Sequence, residues 1–266
     1  MSSVEIGSHV PPDDPVGEAA ARGADLAQIM LGDPQRWSEP AVLYPGGAAA
    51  LKEAAAEAGL KLVVHAAYLI NVASINNRVR IPSRQLLQKT LNVAAGIGAI
   101  GVVVHGGHAS SDDELEAGYD NWFKAIDRLE LPVPLLIENT AGGAFALART
   151  LDGWRRLWTA VSAGAGAAQA GVCLDTCHAH AAGLDLATVA TDIKAITGRI
   201  DLVHANDSRD AAGSGADRHA NLGHGHADPA GIVAVVRQAG APVVVETPGG
   251  AAEQAADIEW LRERLC

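Results

Sequence analysis

Short apolar runs recur along the chain, and each gives way after a few positions to polar, charged or Gly-rich residues. Runs of Val, Leu and Ile without strict alternation are typical of strands that are buried on both faces of a parallel sheet. The runs predict eight strands, over Val4–Val10, Asp25–Leu31, Leu60–His65, Ile100–His105, Val133–Glu138, Gly171–Asp175, Arg199–His204 and Pro242–Glu246.

Between these runs the apolar residues recur at helical spacing. Ser83 and Asp112 stand where N-caps are expected, because each precedes such a stretch and can accept a backbone N–H. The predicted helices cover Val16–Arg22, Gly47–Ala58, Ser83–Gly96, Asp112–Leu129, Phe145–Ala163, Leu186–Thr197, Asp228–Gln238 and Glu253–Arg264.

The regular alternation of strand and helix predicts the fold. A strand recurs about every 30 residues, which is the length of one strand–helix unit in a parallel sheet. Eight such units predict closure into a (β/α)8 TIM barrel of the α/β class. The 266 residues are close to the ~250 residues of one such barrel, so we expect a single domain over residues 1–266.

Six of the predicted strands share a second property, because each ends in His, Asp or Glu. In a closed barrel these strand ends meet at one rim, which is where the chemistry of such barrels collects. A lone His at a strand end is more often structural, but the repetition favours a metal site. With three further residues from the connections, the candidate ligands are His65, His105, Glu138, Asp175, His178, His204, Asp217, His219 and Glu246.

Imidazole nitrogens and carboxylate oxygens are the donors that zinc and similar divalent ions prefer. Five His and four carboxylates suffice for three ions if one carboxylate, such as Glu138, is shared. Asp175 and His178, like Asp217 and His219, are close enough in sequence to serve one ion or two neighbouring ions. The other histidines, among them His9, have no such partners and are expected to be structural.

Composition bears on the binding partner and the cellular compartment of the protein. The formal net charge of -11 would argue against a nucleic-acid partner, but four of the acids are candidate metal ligands, so the sign is weak evidence. The odd set Cys173, Cys177 and Cys266 implies no disulfide framework and fits a reducing cytoplasm. No signal segment or membrane span is recognised, so no membrane partner is expected.

Several segments closely resemble the endonuclease IV family of apurinic/apyrimidinic endonucleases. The resemblance runs from about Gly7 to the C-terminus, and the order of the motifs is kept throughout. DTCH, DRH with a following LGxG, and ETP are specific in combination. The segments are HAAYLIN from His65, HGGH from His105, ENTAGG from Glu138, CLDTCHAHAAG from Cys173, HANDS from His204, DRHANLGHG from Asp217 and ETPG from Glu246.

The resemblance implies a trinuclear zinc site in which Mn²⁺ can replace one of the ions. It implies that His65, His105 and Glu138 hold one ion; that Glu138 bridges to a second, held by Asp175, His204 and Glu246; and that His178, Asp217 and His219 hold the third.

The activity implied by the resemblance is hydrolysis of the phosphodiester 5′ to an abasic site in double-stranded DNA, by a monomer. The products would be a 3′-hydroxyl and a 5′ deoxyribose phosphate. Glu138 and Glu246 would be catalytic, because they could orient the attacking water or accept its proton.

The resemblance also points to residues that contact DNA. Tyr68 and Leu69 match the family residues that enter the duplex, and Arg218 could meet a phosphate. In the second loop the chain reads PQRW, so Gln35 stands where the family has an Arg, and Arg36 follows one place later.

A further departure lies in HGGH. There Gly106 replaces a usual Pro, and we expect this change to loosen its loop.

Two other functions remain open from the sequence. A xylose-isomerase-like sugar isomerase or epimerase would share the barrel and several motifs, but it needs fewer ligands and at most two metals. A non-catalytic binder of damaged DNA would share the DNA contacts, although the intact Glu138 and Glu246 speak against it.

Overall fold

The computed structural model describes residues 4–265, and these form one (β/α)8 barrel, as the sequence predicted. Met1, Ser2, Ser3 and Cys266 lie outside the described residues. The barrel strands are β1 (Ile6–His9), β2 (Leu26–Met30), β3 (Lys61–His65), β4 (Val102–His105), β5 (Leu135–Glu138), β6 (Ala170–Asp175) and β7 (Leu202–His204), then, after the short β8 (Asp207–Ser208) and β9 (His219–Ala220), β10 (Val243–Val245).

Nine α-helices surround the barrel within the described part of the chain. They are α1 (Pro15–Arg22), α2 (Gly47–Glu57), α3 (Asn77–Gly96), α4 (Leu115–Ile126), α5 (Leu151–Ser162), α6 (Thr176–Ala182), α7 (Val189–Thr197), α8 (Pro229–Ala239) and α9 (Ala251–Leu265). None of the helices between residues 4 and 265 combines the length and apolarity needed to cross a membrane.

All pairings in the barrel are parallel, and the sheet closes where β1 pairs with both β2 and β10. The register brings ligand-type residues side by side, because His105 pairs with Glu138 and Asp175 pairs with His204. In the connection between β7 and α8, β8 and β9 form a small antiparallel ribbon. The ribbon ends beside the rim and carries His219 towards it.

Below the ligand residues, the barrel strands contribute a separate cluster of buried apolar side chains. Inward-facing side chains of barrel strands stack in layers, so the barrel is a packed core rather than a pore. The cluster consists of Leu26, Val63, Val103, Leu136, Cys173, Leu202 and Val244, all buried.

Four predicted helix starts were wrong, those at Ser83, Asp112, Phe145 and Leu186. The helix expected from Phe145 begins only at Leu151, where Thr150 caps it, and the helix expected from Leu186 begins at Val189. The third helix begins at Asn77, capped by the side chain of Asn76, and it continues through Pro82. Ser83 is therefore inside the helix, where its buried Oγ accepts the Asn71 N–H at 2.9 Å. The sequence misled because Pro usually marks a helix boundary, whereas this helix starts at the Asn76 cap and runs through Pro82.

Asp112 also fails as a cap, because it opens a short 3₁₀ turn and α4 begins only at Leu115. The short helix α6 was not predicted at all. Its few residues, rich in Ala and His, do not show the apolar spacing of a longer helix.

Candidate metal centre

The nine candidate ligands converge at the carboxyl-terminal rim of the barrel. Five of them are the last residues of β3 to β7, and Glu246 directly follows β10. His178 lies in α6, and Asp217 and His219 come from the long connection after β7. The structure brings all nine into three adjoining groups, and in each group the ligand atoms lie within 4.8 Å of one another.

The first group is His65, His105 and Glu138. The Nε2 atoms of His65 and His105 lie 3.2 and 3.3 Å from the same carboxylate oxygen, Glu138 Oε2. Glu138 is fully buried, and the His105 side chain is 25% exposed. The group is therefore open towards solvent on the His105 side only.

The second group shares Glu138 with the first and adds Asp175, His204 and Glu246. His204 Nδ1 lies 3.0 Å from Glu138 Oε1 and 3.2 Å from Glu246 Oε2. Glu138 thus presents one oxygen to each group, which is the arrangement of a carboxylate that bridges two ions. Two buried carboxylates and the slightly exposed Glu246 face one imidazole, and this excess of negative charge favours a cation among them.

The third group is His178, Asp217 and His219. The Nε2 atoms of the two histidines lie 3.1 and 3.2 Å from Asp217 Oδ1. Neither nitrogen makes a hydrogen bond, although both are buried. Two unpartnered imidazole nitrogens directed at one carboxylate oxygen fit the donor set of a divalent ion.

The opposite ring nitrogens support this interpretation. Nδ1 of His65 donates to Ala66 O at 2.7 Å, Nδ1 of His178 to Asn139 O at 2.9 Å, and Nδ1 of His219 to Glu246 O at 3.2 Å. Metal-bound histidines usually donate their second N–H in this way, which fixes the ring and its tautomer. In each ring the remaining nitrogen, Nε2, faces the carboxylates with its lone pair.

The electrostatics of the cluster show how strongly it favours positive charge. Burial opposes protonation of His219, but contact with Asp217 raises its pKa to about 9. Burial alone would raise the pKa of Glu246, yet the neighbouring histidines, His204 foremost, together outweigh it and lower the pKa to about 2. Burial of Glu138 is likewise outweighed by His204 and His105, so its pKa falls well below its usual value. Divalent ions would supply the same positive charge in place of these protons.

The two buried cysteines lie beside the cluster as unpaired thiols. Cys173 adjoins Glu138 and His204, and Cys177 adjoins Asp175 and His219. Burial raises the pKa of both thiols to about 12. Burial therefore disfavours the thiolate form of both cysteines.

Local structure explains the position of His178. Asp175 ends β6 and caps α6, because its Oδ1 accepts the His178 N–H at 2.6 Å. Its other oxygen accepts Asn206 Nδ2 at 2.6 Å. Asp175 therefore fixes the first turn of α6, and with it the direction of the His178 ring.

The connection that carries Asp217 and His219 is held by two buried acids that the sequence analysis did not single out. Asp207 accepts four backbone N–H groups, and Asp257 accepts Leu222 N, Asn221 Nδ2 and the Thr247 hydroxyl. Asp207 lies in the quoted HANDS motif, but its role was not visible in the spacing.

Gln28 is a further residue that the sequence analysis missed. It is the one strongly polar side chain in the run LAQIM, and that contrast was an available signal. Its amide contacts Glu246, His204 and His9. His9, expected to be purely structural, thus lies at the edge of the cluster, 3.8 Å from Glu246.

A cleft of about 440 Å³ opens above the three groups. Tyr68, Arg209, Arg218 and Pro248 line it together with several ligands. Tyr68 is half-exposed and stacks on His105, with ring centroids 5.9 Å apart. Arg218 is exposed on the cleft wall and pairs with Asp210.

The other proposed DNA contacts differ in exposure. Leu69 is partly buried and packs against the core below its loop, whereas Gln35 and Arg36 are exposed. The Arg36 side chain is 80% exposed and pairs with Asp33. Arg36 borders a small pocket that also includes His65, so this loop lies next to the metal centre.

Comparison with known proteins identifies the family. Residues 16–264 match the sequence family described as "Xylose isomerase-like TIM barrel". A protein of Mycobacterium tuberculosis (strain ATCC 25177 / H37Ra), named "Probable endonuclease 4", is 55% identical over 97% of this chain and 98% of its own.

Solved structures add a distinction between fold and function. Endonuclease IV from Thermus thermophilus is 30% identical, with a TM-score of 0.79 and 98% of both chains covered. A D-tagatose 3-epimerase-like protein reaches the same TM-score, 0.79, at 20% identity, covering 98% of this chain and 97% of its own. The second likeness shows the fold alone, so the sequence match carries the family assignment.

Proposed function

The chain belongs to the endonuclease IV family, and on that premise we propose that it is a metal-dependent apurinic/apyrimidinic endonuclease with three zinc ions. It hydrolyses the phosphodiester 5′ to an abasic site in double-stranded DNA and leaves a 3′-hydroxyl and a 5′ deoxyribose phosphate. One of the three ions is exchangeable for Mn²⁺.

One observation carries the proposal: three ligand groups adjoin one another below a single open cleft and share Glu138. The shared carboxylate sets neighbouring ions close together, and a phosphate entering the cleft would meet all three groups. Bound there, the ions would acidify water and neutralise the charge that develops on the phosphate and on the leaving 3′ oxygen.

The two catalytic carboxylates have different tasks in this proposal. Glu138 is fully buried between two groups, and its task is to hold both in register. Glu246 has an 11% exposed side chain and lines the cleft. It is therefore the carboxylate suited to orient the attacking water and to take its proton.

Recognition of damage follows from the cost of unstacking. A nucleotide without a base is cheap to turn out of the duplex, so a cleft that accepts only an extruded sugar selects abasic sites. We propose that Tyr68 enters the gap with support from Leu69, and that Gln35, Arg36 and Arg218 contact the flanking DNA. The exposed Tyr68 ring above His105 supports this assignment.

All nine proposed ligands come from one chain, which supports action as a monomer. The two unpaired buried cysteines support a reducing compartment, and we propose the cytoplasm.

The decisive test is a duplex with one tetrahydrofuran abasic analogue. The analogue cannot undergo β-elimination, so cutting it requires hydrolysis. We expect metal-loaded protein to cut once, on the 5′ side, and to leave an end that a polymerase extends. An intact duplex, together with interconversion of an aldose and a ketose by the same sample, would refute the proposal in favour of the sugar isomerase.

A matched variant tests the assignment of Glu246. Glu246→Gln keeps the shape of the side chain but removes an anionic ligand and the proposed base. We expect incision to fall by orders of magnitude while binding of abasic duplex is better preserved. Metal content by mass spectrometry, close to three ions in the parent, accompanies the assay. Parental incision by the metal-replete variant would remove Glu246 from the mechanism.

A further inference from the structure

Gln28 is a fully buried polar side chain in the otherwise apolar β2. It does not line the cleft and it belongs to none of the three ligand groups. A buried amide that lacked partners would be costly, so its contacts indicate its task. Its Nε2 lies 2.6 Å from Glu246 Oε1 and 3.2 Å from His9 Nδ1, and its Oε1 lies 2.8 Å from His204 Nε2.

Chemistry fixes which way this amide faces. A carboxylate such as that of Glu246 can only accept hydrogen bonds, so the group that faces it at 2.6 Å must be the amide NH₂. The second N–H of that group points to His9 Nδ1, which accepts it. The amide oxygen is left for His204, and it can only accept.

The fixed amide in turn fixes the tautomer of His204. Because Gln28 Oε1 accepts, His204 Nε2 must carry a hydrogen. The opposite nitrogen, Nδ1, then faces Glu138 and Glu246 at 3.0 and 3.2 Å. His204 thus presents an unprotonated Nδ1 to these carboxylates, whereas His65, His105 and His219 present Nε2 to theirs.

From these contacts we propose that Gln28 is a positioning residue for the ion of the second group, which contains Glu138, Asp175, His204 and Glu246. It acts through two ligands of one group: it orients the His204 ring with its amide oxygen and holds one Glu246 oxygen with its amide nitrogen. His9 completes the arrangement by accepting the second amide hydrogen. The inference rests on the proposed metal centre and adds to it a residue that touches neither ion nor DNA.

Gln28→Met tests this role, because Met has nearly the same length and neither hydrogen-bonding group. Partners of metal-bound histidines typically contribute about 10- to 100-fold to metal affinity or activity. We therefore expect one ion in three to be released to a chelator at least ten-fold faster, with the other two released at parental rates. At saturating metal, we expect kcat on the tetrahydrofuran duplex to fall about ten-fold and KM to stay unchanged, because Gln28 does not itself line the cleft.

The control is Ser8→Ala. Ser8 is fully buried on the neighbouring β1, and its Oγ has no hydrogen-bond partner. Its loss should leave all three release rates and kcat unchanged. A cobalt-substituted sample gives an independent readout, because the visible spectrum should change for one ion in Gln28→Met and for none in Ser8→Ala.

Two results would overturn the proposal. Parental release of all three ions by a folded Gln28→Met protein would reduce Gln28 to a packing residue. Failure of both Gln28→Met and Gln28→Leu to fold without metal would do the same, by giving Gln28 a purely structural role. Failure of the proposed function is separate, since it would appear as missing incision or missing ions in the parent protein.

Discussion

Asp207 should be a main source of stability for the connection that carries two of the ligands. The buried carboxylate accepts Ser208 N at 2.7 Å and Ala227 N at 2.9 Å with Oδ1, and Gly223 N at 3.1 Å and Gly225 N at 2.9 Å with Oδ2. These bonds tie both ends of the LGHGH segment to β8. The segment begins three residues after His219, so its position affects the third ligand group.

Asp207→Asn changes this arrangement without changing the shape of the side chain. Asn keeps one oxygen, so two backbone N–H groups keep their acceptor and the other two face an NH₂ donor. A buried donor left without an acceptor costs about 1–3 kcal/mol, so two of them should lower the free energy of unfolding by about 2–6 kcal/mol. The same change should weaken binding of the ion at His178, Asp217 and His219.

The assay is urea unfolding of the metal-free protein, followed by circular dichroism, with the free-energy difference taken from the shift in midpoint at constant slope. Asp113→Asn is the control, because Asp113 is exposed and its substitution should shift stability by less than about 0.5 kcal/mol. The rate at which each zinc ion of the loaded variant is released to a chelator then shows which ion is bound more weakly. A parental urea midpoint for Asp207→Asn would refute the reasoning.

Three further predictions concern the rim. Gly106→Pro introduces the residue usual in the family and should lower the free energy of unfolding by about 1–3 kcal/mol. It removes the hydrogen bond from Gly106 N to Glu138 O and adds a Cβ within 2.4 Å of Ala148 Cβ. Gly106→Ala adds only the Cβ and so separates the two effects, and parental urea midpoints for both variants would contradict the prediction. Tyr68→Ala should weaken binding of abasic duplex by about 1–3 kcal/mol in a titration, the usual contribution of one stacked aromatic, and an equal loss with intact duplex would contradict a wedge. Arg218→Ala should reduce the slope of log K against log salt by about 0.9, and an unchanged slope would mean that Arg218 meets no phosphate.

The sequence predicted the barrel and gathered its candidate ligands because both depend on simple periodic features. An apolar run that ends in His65 or Glu138 implies a strand and a rim position at once. The structure brings those residues together where parallel strands must bring them. The helix start at Asn77 was missed because it depends on one cap and one tolerated Pro, and the start at Leu115 was missed because a short 3₁₀ turn precedes it; neither leaves a periodic signal.

The supporting residues were harder to predict for a different reason. Gln28, Asp207 and Asp257 act through contacts with residues distant in sequence, such as Gln28 with Glu246. A sequence pattern identifies a residue by its neighbours in the chain, and the sequence neighbours of Gln28, Asp207 and Asp257 do not indicate these distant contacts. Gly106 shows the opposite error: its loop was expected to be loose, but Gly106 is buried and its backbone bonds to Glu138 and Trp122.

The negative net charge need not oppose a DNA substrate, because four of the acids belong to the candidate ligand groups. Glu138 and Asp175 are fully buried among imidazoles, and ions bound there would cancel their charge within a few ångströms. At an ionic strength of about 0.1 M, screening limits the electrostatic effect of the remaining exposed acids to about 10 Å. A phosphate in the cleft would therefore meet Arg209 and Arg218 together with any ions held by the ligand groups, and overall composition does not report this local charge.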